Sequence, residues 1–332
     1  MKPRLTFFCE LEADALVRLF SDRAVVDGLV DLGAGVSLGL IDLGAERAQV
    51  VRGLNQAGIP VTAWLLLPRE EGYWFNTGNA MAAARRYGAF AAWSQEHGLR
   101  WEGVGLDIET DIREMQLLLM DLPRLVPALL RRLCDRQHLA QAQAAYEALL
   151  AAVRADGFRV DSYQMPLIVD ERRAGSQLLR RLGGWVDLPV DREVLMLYSS
   201  FYRPYGAAIL DSYARDAPSV GLGVTGGGVQ IAGVVQPAFL SWEEFQRDLL
   251  IARLRTDDIH IFSLEGCVQQ GFLQRMVSLD WDASPLWPDR RLGEVGHVRA
   301  LLRVALKASV FPWPVIMALL ALRGLLGRRR DG

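Results

Sequence analysis

The stretch Trp101-Glu-Gly-Val-Gly-Leu-Asp-Ile-Glu-Thr-Asp111 places two carboxylates, Asp107 and Glu109, two residues apart at the end of an apolar run. In an extended strand alternate side chains share a face, so Gly105, Asp107 and Glu109 lie on one side and Val104, Leu106 and Ile108 on the other. The apolar side buries against helices, which turns both acids toward whatever the strand encloses. Two carboxyls this close do not titrate independently: repulsion raises one apparent pKa and keeps a proton on one partner near neutral pH. A general acid has that requirement. The same pair can also serve as the polar end of a strand, ion-paired with an arginine such as Arg113, so the position of the strand in the fold decides its meaning.

Eight runs rich in β-branched and apolar residues alternate with helical stretches. They begin at Leu5, Val36, Ile59, Gly103, Phe158, Glu193, Ser219 and Asp258. That alternation predicts a parallel sheet with helical crossovers, and eight units predict a single (β/α)8 TIM barrel spanning 1–309. The fifth run reads as Phe158 to Val169. Helices are expected over Ala45 to Ala57 and, behind the capping box Ser241-Trp-Glu-Glu244, to about Arg255. A helical insertion over about 112–156 follows the fourth strand and is longer than one crossover needs, with Pro123 and Pro127 interrupting it. In such a barrel the C-terminal end of strand four, where Asp107 and Glu109 fall, is where catalytic groups are placed.

Glu102-Gly-Val-Gly-Leu-Asp-Ile-Glu109 resembles the D-G-x-D-x-D-x-E signature of the family 18 glycoside hydrolases, the chitinase-like barrels. Met196-Leu-Tyr198-Ser199 resembles that family's M-x-Y-D on strand six, and Ile261-Phe-Ser-Leu-Glu-Gly266 its W-S-x-D-G on strand eight. The resemblance implies that Glu109 protonates the leaving glycosidic oxygen. It further implies that Asp107 orients the substrate's 2-acetamido group and that Tyr198 hydrogen-bonds it while its carbonyl oxygen attacks the anomeric carbon. This is the substrate-assisted exception to the two-carboxylate scheme. The implied partner is a carbohydrate, a glycan containing N-acetylated sugar, with Met196, Phe262 and Glu265 in the matched segments. Gly105, Ser199 and Phe262 stand where the family has aspartate, aspartate and tryptophan. Those departures support a second reading, a sugar-binding or membrane-proximal scaffold barrel without hydrolysis.

Tyr73 and Trp74, after the third strand, either stack on sugar rings or anchor their loop. Gln164, in strand five, either donates to a sugar hydroxyl or is a satisfied interior group. Glu10 and Glu265 end the first and last strands, neighbours in a closed barrel, and either can supply a further acid. Gly221-Leu-Gly223-Val-Thr-Gly226 reads G-x-G-x-x-G but lacks the helix a dinucleotide site requires within it.

The 37 basic and 39 acidic side chains give a net charge of -2, so no electrostatic attraction draws the chain to nucleic acid. Cys9, Cys134 and Cys267 are too scattered for a disulfide framework, and His97, His138, His260 and His297 lack ligand spacing, so no metal and no cofactor are expected. The N-terminus lacks the pattern of a signal peptide, and the expectation is a cytoplasmic location, free or peripheral to a membrane. The segment 310–332 forms an apolar tail ending in Arg328 to Arg330, read either as a final packed helix or as an interfacial segment on anionic lipid. It is shorter than a spanning helix needs. Met115 to Met120, in the insertion, is also unusually apolar and could extend such a patch. Oligomeric state is not legible.

Overall fold

The computed structural model describes residues 2–234, 238–287 and 289–310. Eight parallel strands close into a barrel in sequence order: β1 (Arg4–Cys9), β2 (Gly35–Leu40), β3 (Val61–Leu65), β4 (Gly103–Ile108), β5 (Arg159–Gln164), β6 (Arg192–Met196), β7 (Ser219–Gly223) and β8 (Asp258–Phe262). The chain is therefore a (β/α)8 TIM barrel. Between β1 and β4 the crossovers are α1 (Ala13–Ser21) with α2 (Arg23–Leu32), α3 (Ala45–Gln56) and α4 (Ala80–His97). The β4–β5 crossover holds three helices, α5 (Ile112–Met120), α6 (Leu122–Cys134) and α7 (Arg136–Ala155). Then come α8 (Leu167–Ala174) with α9 (Leu178–Gly183), α10 (Gly206–Ala214) and α11 (Trp242–Arg253), and after β8 α12 (Leu264–Gln269), α13 (Phe272–Val277) and α14 (Asp289–Val310).

All eight expected strands form, and two boundaries are corrected: β8 stops at Phe262 because Ser263 caps α12, which puts Glu265 in the first turn of a helix rather than at a strand end. β5 stops at Gln164 because Pro166 opens α8, so the apolar Leu167-Ile-Val169 continues as helix rather than strand. Ser241 caps α11 as the sequence implies: its Oγ accepts from Glu244 N–H (3.3 Å) while Glu244 accepts from Ser241 N–H (3.0 Å). The insertion begins where Asp111 accepts from Arg113 N–H (2.9 Å), and Pro123 sits in the first turn of α6, where its missing N–H is harmless. α7 packs back on α4, leaving α5 and α6 as an extra hairpin.

Strand alternation separates two apolar layers. Leu5, Phe7, Val36, Leu38, Val104, Leu106 and Ile108 face the helices, whereas Phe8, Trp64, Tyr163, Val194 and Met196 fill the interior. The N-terminal end of the barrel is floored by charge. Buried Asp161 accepts from Arg159 (2.9 Å) and pairs with Arg192, which also reaches Asp258 (3.2 Å); Ser219 donates to Asp258 (2.7 Å). Outside, Arg299 fastens α14 to the barrel by pairing with the fully buried Asp170 (2.9 Å) and with Asp216 (2.8 Å) over the Tyr213 ring. Among the described residues no helix is long and apolar enough to cross a membrane. Most of the tail anticipated at 310–332 lies outside the described residues, which end at Val310.

Gly105 has a packing reason. A β-carbon there would lie 2.7 Å from Tyr163 Cζ, so the interior space that a side chain on β4 would take is filled by a ring from β5. That ring is fixed by a 2.6 Å hydrogen bond between its hydroxyl and Ser37. Gly105→Ala is expected to cost about 1–3 kcal/mol in urea unfolding, the range for overpacking a core. In the Tyr163→Ala background the same change should cost far less. Strictly additive losses in this double-mutant cycle would contradict the contact.

Candidate active site

The site stands at the C-terminal mouth of the barrel, where the strand ends deliver their side chains. Asp107 closes β4 and is buried, with Glu109 just beyond it. The segment after β3 continues the pairing past the sheet: Phe75 N–H donates to Asp107 O (2.8 Å) and Glu109 N–H to Phe75 O (3.1 Å). The acid's backbone is thus held on a strand-like rail. Next to it Tyr73 adopts φ 65°, the one left-handed residue other than glycine among those described, and its hydroxyl donates to Glu10 at the end of β1. Such a conformation is uncommon for a bulky residue and costs about 1–3 kcal/mol unless the surroundings impose it. Glu265, in the first turn of α12, accepts from Glu10 N–H at 3.4 Å.

Four carboxyls therefore share one mouth, and each is held above its ordinary range. Burial raises Glu10 to about 8, aided by the charges of Glu265 and Glu109 and opposed by the Tyr73 hydrogen bond. Asp107 is pushed well up by burial, then by the charges of Glu109 and Glu10, and its hydrogen bond with Glu109 favours its protonated form. Glu109 rises to about 7 through burial, partly offset by that hydrogen bond, and Glu265 to about 7, again through burial. The two carboxyls interact, so their protons belong to the pair rather than to either acid, and both groups are held above the ordinary carboxylate range. Asp107 Oδ1 and Glu265 Oε2 are buried without a hydrogen-bond partner among the described residues. No group of three or more His, Cys, Asp or Glu side chains among the described residues is arranged to hold a metal ion.

Tyr198, past the end of β6, completes the group. Burial raises its phenol, followed by the charges of Asp107, Glu109 and Glu10, which places it beside the acids. Its ring lies against the glycines of β7: a β-carbon at Gly223 would press on it at 3.2 Å and on Phe262 O at 2.7 Å, and one at Gly221 would meet it at ordinary contact, 3.4 Å. The G-x-G-x-x-G stretch thus houses an aromatic ring, and no helix opens within it. Met196 and Phe262 form the apolar wall below, with the Phe262 ring 5.6 Å from Tyr198 and 6.3 Å from Trp64.

Other anticipated groups lie elsewhere. Gln164 is corrected: Tyr163 faces the interior, so its neighbour faces the helices, where Gln164 donates to Val186 O (3.2 Å). Tyr73 and Trp74 are 5% and 8% exposed and pack edge to face at 5.5 Å, so both anchor their loop, with no open ring face for stacking. Ser199 turns away from the mouth and donates to Asp248 of α11. Asp111, not either strand acid, takes the Arg113 ion pair. A cavity of about 840 Å3, lined among others by Asn76, Asn79, Asp111, Glu114 and Arg132, includes none of the four carboxyls.

Two features escape a sequence reading. Tyr202 stands near Glu109, whose charge adds to burial in raising its phenol. More consequential is a strap over the mouth. Gly227 and Gly228 take left-handed φ of 73° and 89°, Val229 backbone hydrogen-bonds Glu10, and Val229 and Ile231 pack on the interior aromatics. The strap is tied by Arg69 to Gln230 O (3.0 Å) and Gln116 to Ala232 O (3.1 Å). A β-carbon at Gly227 would run into Glu265 Oε1, and one at Gly228 would lie 3.9 Å from Glu10 Oε2, so the strap passes directly over these two acids. The sequence signal was the Gly226-Gly-Gly228 run.

No family model and no curated protein matches the chain. Among solved structures, it is similar to the PgaB (BpsB) glycoside hydrolase domain from Bordetella bronchiseptica, with a TM-score of 0.50 and 11% identity over 86% of this chain and all of that one. An L-ribulose 3-epimerase (TM-score 0.41, 11% identity, 95% and 98% covered) and the HMG-CoA lyase from Brucella melitensis (TM-score 0.41, 12% identity, 90% and 98% covered) are also similar. At 11% identity the likeness to the glycoside hydrolase domain is one of fold.

The raised carboxyls have a thermodynamic sign. Between the unfolded value of about 4.3 and about 8, folded Glu10 holds a proton that the unfolded chain has released, so its contribution to stability falls as pH rises through that window and is flat above it. Wild type should therefore lose about 2–4 kcal/mol more than Glu10→Gln between pH 5 and pH 9 in chemical denaturation. Parallel curves for the two proteins would show that Glu10 titrates normally.

Proposed function

We propose that the chain is a glycoside hydrolase-like enzyme that cleaves a glycan containing N-acetylated sugar, working as the family 18 barrels it resembles. The observation that carries this reading is the convergence of Asp107, Glu109 and Tyr198 at the barrel mouth, with Glu109 raised to about 7 by burial. An acid of that pKa is part protonated at neutral pH, as proton donation to a leaving group requires.

In this reading Glu109 gives its proton to the glycosidic oxygen as the bond from that oxygen to the anomeric carbon breaks. The substrate's acetamido oxygen closes on the anomeric carbon, and no protein nucleophile is needed. With the proton of the pair on Glu109, Asp107 turns the acetamido group by accepting from its N–H, and the Tyr198 hydroxyl donates to the group. Glu109, now a carboxylate, takes a proton from water as the water adds to the anomeric carbon. The strap excludes bulk water, and its opening would admit the glycan. A sugar-binding barrel without hydrolysis is the second reading, favoured by the turn of Ser199 toward Asp248 and by Phe262 in place of tryptophan.

The test is hydrolysis of a panel of chromogenic β-glycosides and chito-oligosaccharides, with calorimetric binding of the same oligosaccharides. Glu109→Gln should lower kcat by about 10²–10⁴-fold while leaving Kd nearly unchanged. Turnover surviving in Glu109→Gln would remove the acid from its role, and binding without turnover in wild type would select the second reading.

A further inference from the structure

The hairpin of α5 and α6 presents its apolar side outward. On α6 the exposed residues Leu122, Val126 and Leu130 recur every four positions, a continuous stripe on one helix face, at 47%, 41% and 58% exposure. Leu118, Leu119 and Met120 at the end of α5 extend it, exposed by 44%, 53% and 59%. Of α6, only Leu125 is buried against the protein. A surface helix normally turns the other way, with its apolar stripe inward, and a contiguous apolar patch of this kind marks a docking surface.

Charge selects the occupant. α6 carries Arg124, Arg131 and Arg132 and no acidic residue; Arg124 and Arg131 are exposed on the helix face opposite the stripe, Arg124 paired with Asp121 (2.9 Å), and Arg132 is engaged by Glu114 at 2.6 Å. An apolar stripe backed by a polar face whose only charges are arginines is the pattern of a helix lying in a bilayer interface, its apolar side chains in the acyl boundary and its cations reaching toward anionic headgroups. The hairpin also adjoins the barrel mouth, because Gln116 bonds the strap and Met120 touches Gly233.

We propose that α5–α6 is an interfacial membrane-docking hairpin for anionic lipid, which sets the barrel mouth beside the headgroups. The inference does not depend on the reaction proposed above. It is tested by flotation of the purified full-length chain with phosphatidylcholine vesicles with and without about one-third phosphatidylglycerol. Wild type should float with the anionic vesicles and less so at raised salt. Leu122→Gln/Val126→Gln/Leu130→Gln should reduce partition by about tenfold or more, with far-UV circular dichroism unchanged because the three residues are exposed. Leu118→Gln/Met120→Gln should act in the same direction, and Arg124→Gln/Arg131→Gln should weaken only the preference for anionic lipid. Wild type that stays with the unbound fraction overturns the proposal. So does a triple variant that floats like wild type, which would assign binding to another part of the chain. A concentration-dependent dimer in sedimentation velocity, abolished by the triple variant while vesicle binding is unaffected, would assign the face to a second copy and overturn it equally.

Discussion

Glu10, Asp107, Glu109 and Glu265 are held together in a water-poor mouth, and among the described residues no arginine or lysine forms an ion pair with any of them. Ionised carboxylates in such a place are costly, so the folded chain keeps protons there. Much of the neighbouring architecture serves that condition. The charges of Glu109 and Glu265 raise Glu10, those of Glu109 and Glu10 raise Asp107, and Gly227 and Gly228 of the strap lie against Glu265 and Glu10, whereas the Tyr73 hydroxyl, donating to Glu10, works the other way by favouring its ionised form. A site that stores protons at neutral pH can give them away, which links the electrostatics to acid catalysis.

Barrel closure makes this arrangement possible. Because side chains alternate, the same residue parity that lines the interior with Phe8, Trp64 and Tyr163 brings Glu10, Asp107 and Tyr198 to the mouth. Volume is balanced between neighbouring strands: Tyr163 occupies the space left by Gly105, and Tyr198 the space left by Gly221 and Gly223. Charge at the opposite end is treated differently. There Asp161 and Asp258 are neutralised by Arg159 and Arg192, so the floor is ion-paired and the mouth is proton-paired.

The strands were legible because each couples an apolar β-branched run to glycine, proline or polar punctuation. β5 was overextended because Leu167-Ile-Val169 reads as strand until Pro166 is given its role in opening a helix. Asp107 and Glu109 could be turned toward the barrel interior from strand alternation alone, whereas Tyr198 was singled out only by the resemblance to family 18. Gln164 takes the second of its two readings, a satisfied buried group, because the alternation that fixed Asp107 sends it outward once Tyr163 is inside. The fate of Tyr73 and Trp74 was not legible, because a loop's side-chain directions depend on a backbone turn that composition does not encode. The outward face of α6 was hidden for a related reason: periodicity locates an apolar stripe without saying which way it points.

The central claim is that the Asp107 and Glu109 carboxyls interact and are both held above the ordinary carboxylate range. Carbon-13 NMR of side-chain-carboxyl-labelled protein, titrated from about pH 4 to about pH 9 in wild type, Asp107→Asn and Glu109→Gln, reads their titration directly. The account predicts two coupled carboxyl resonances that titrate well above the ordinary carboxylate range, and a remaining partner whose pKa drops when either acid is replaced by its amide. Independent titration of both groups near pH 4, unchanged by substitution of the neighbour, would contradict it.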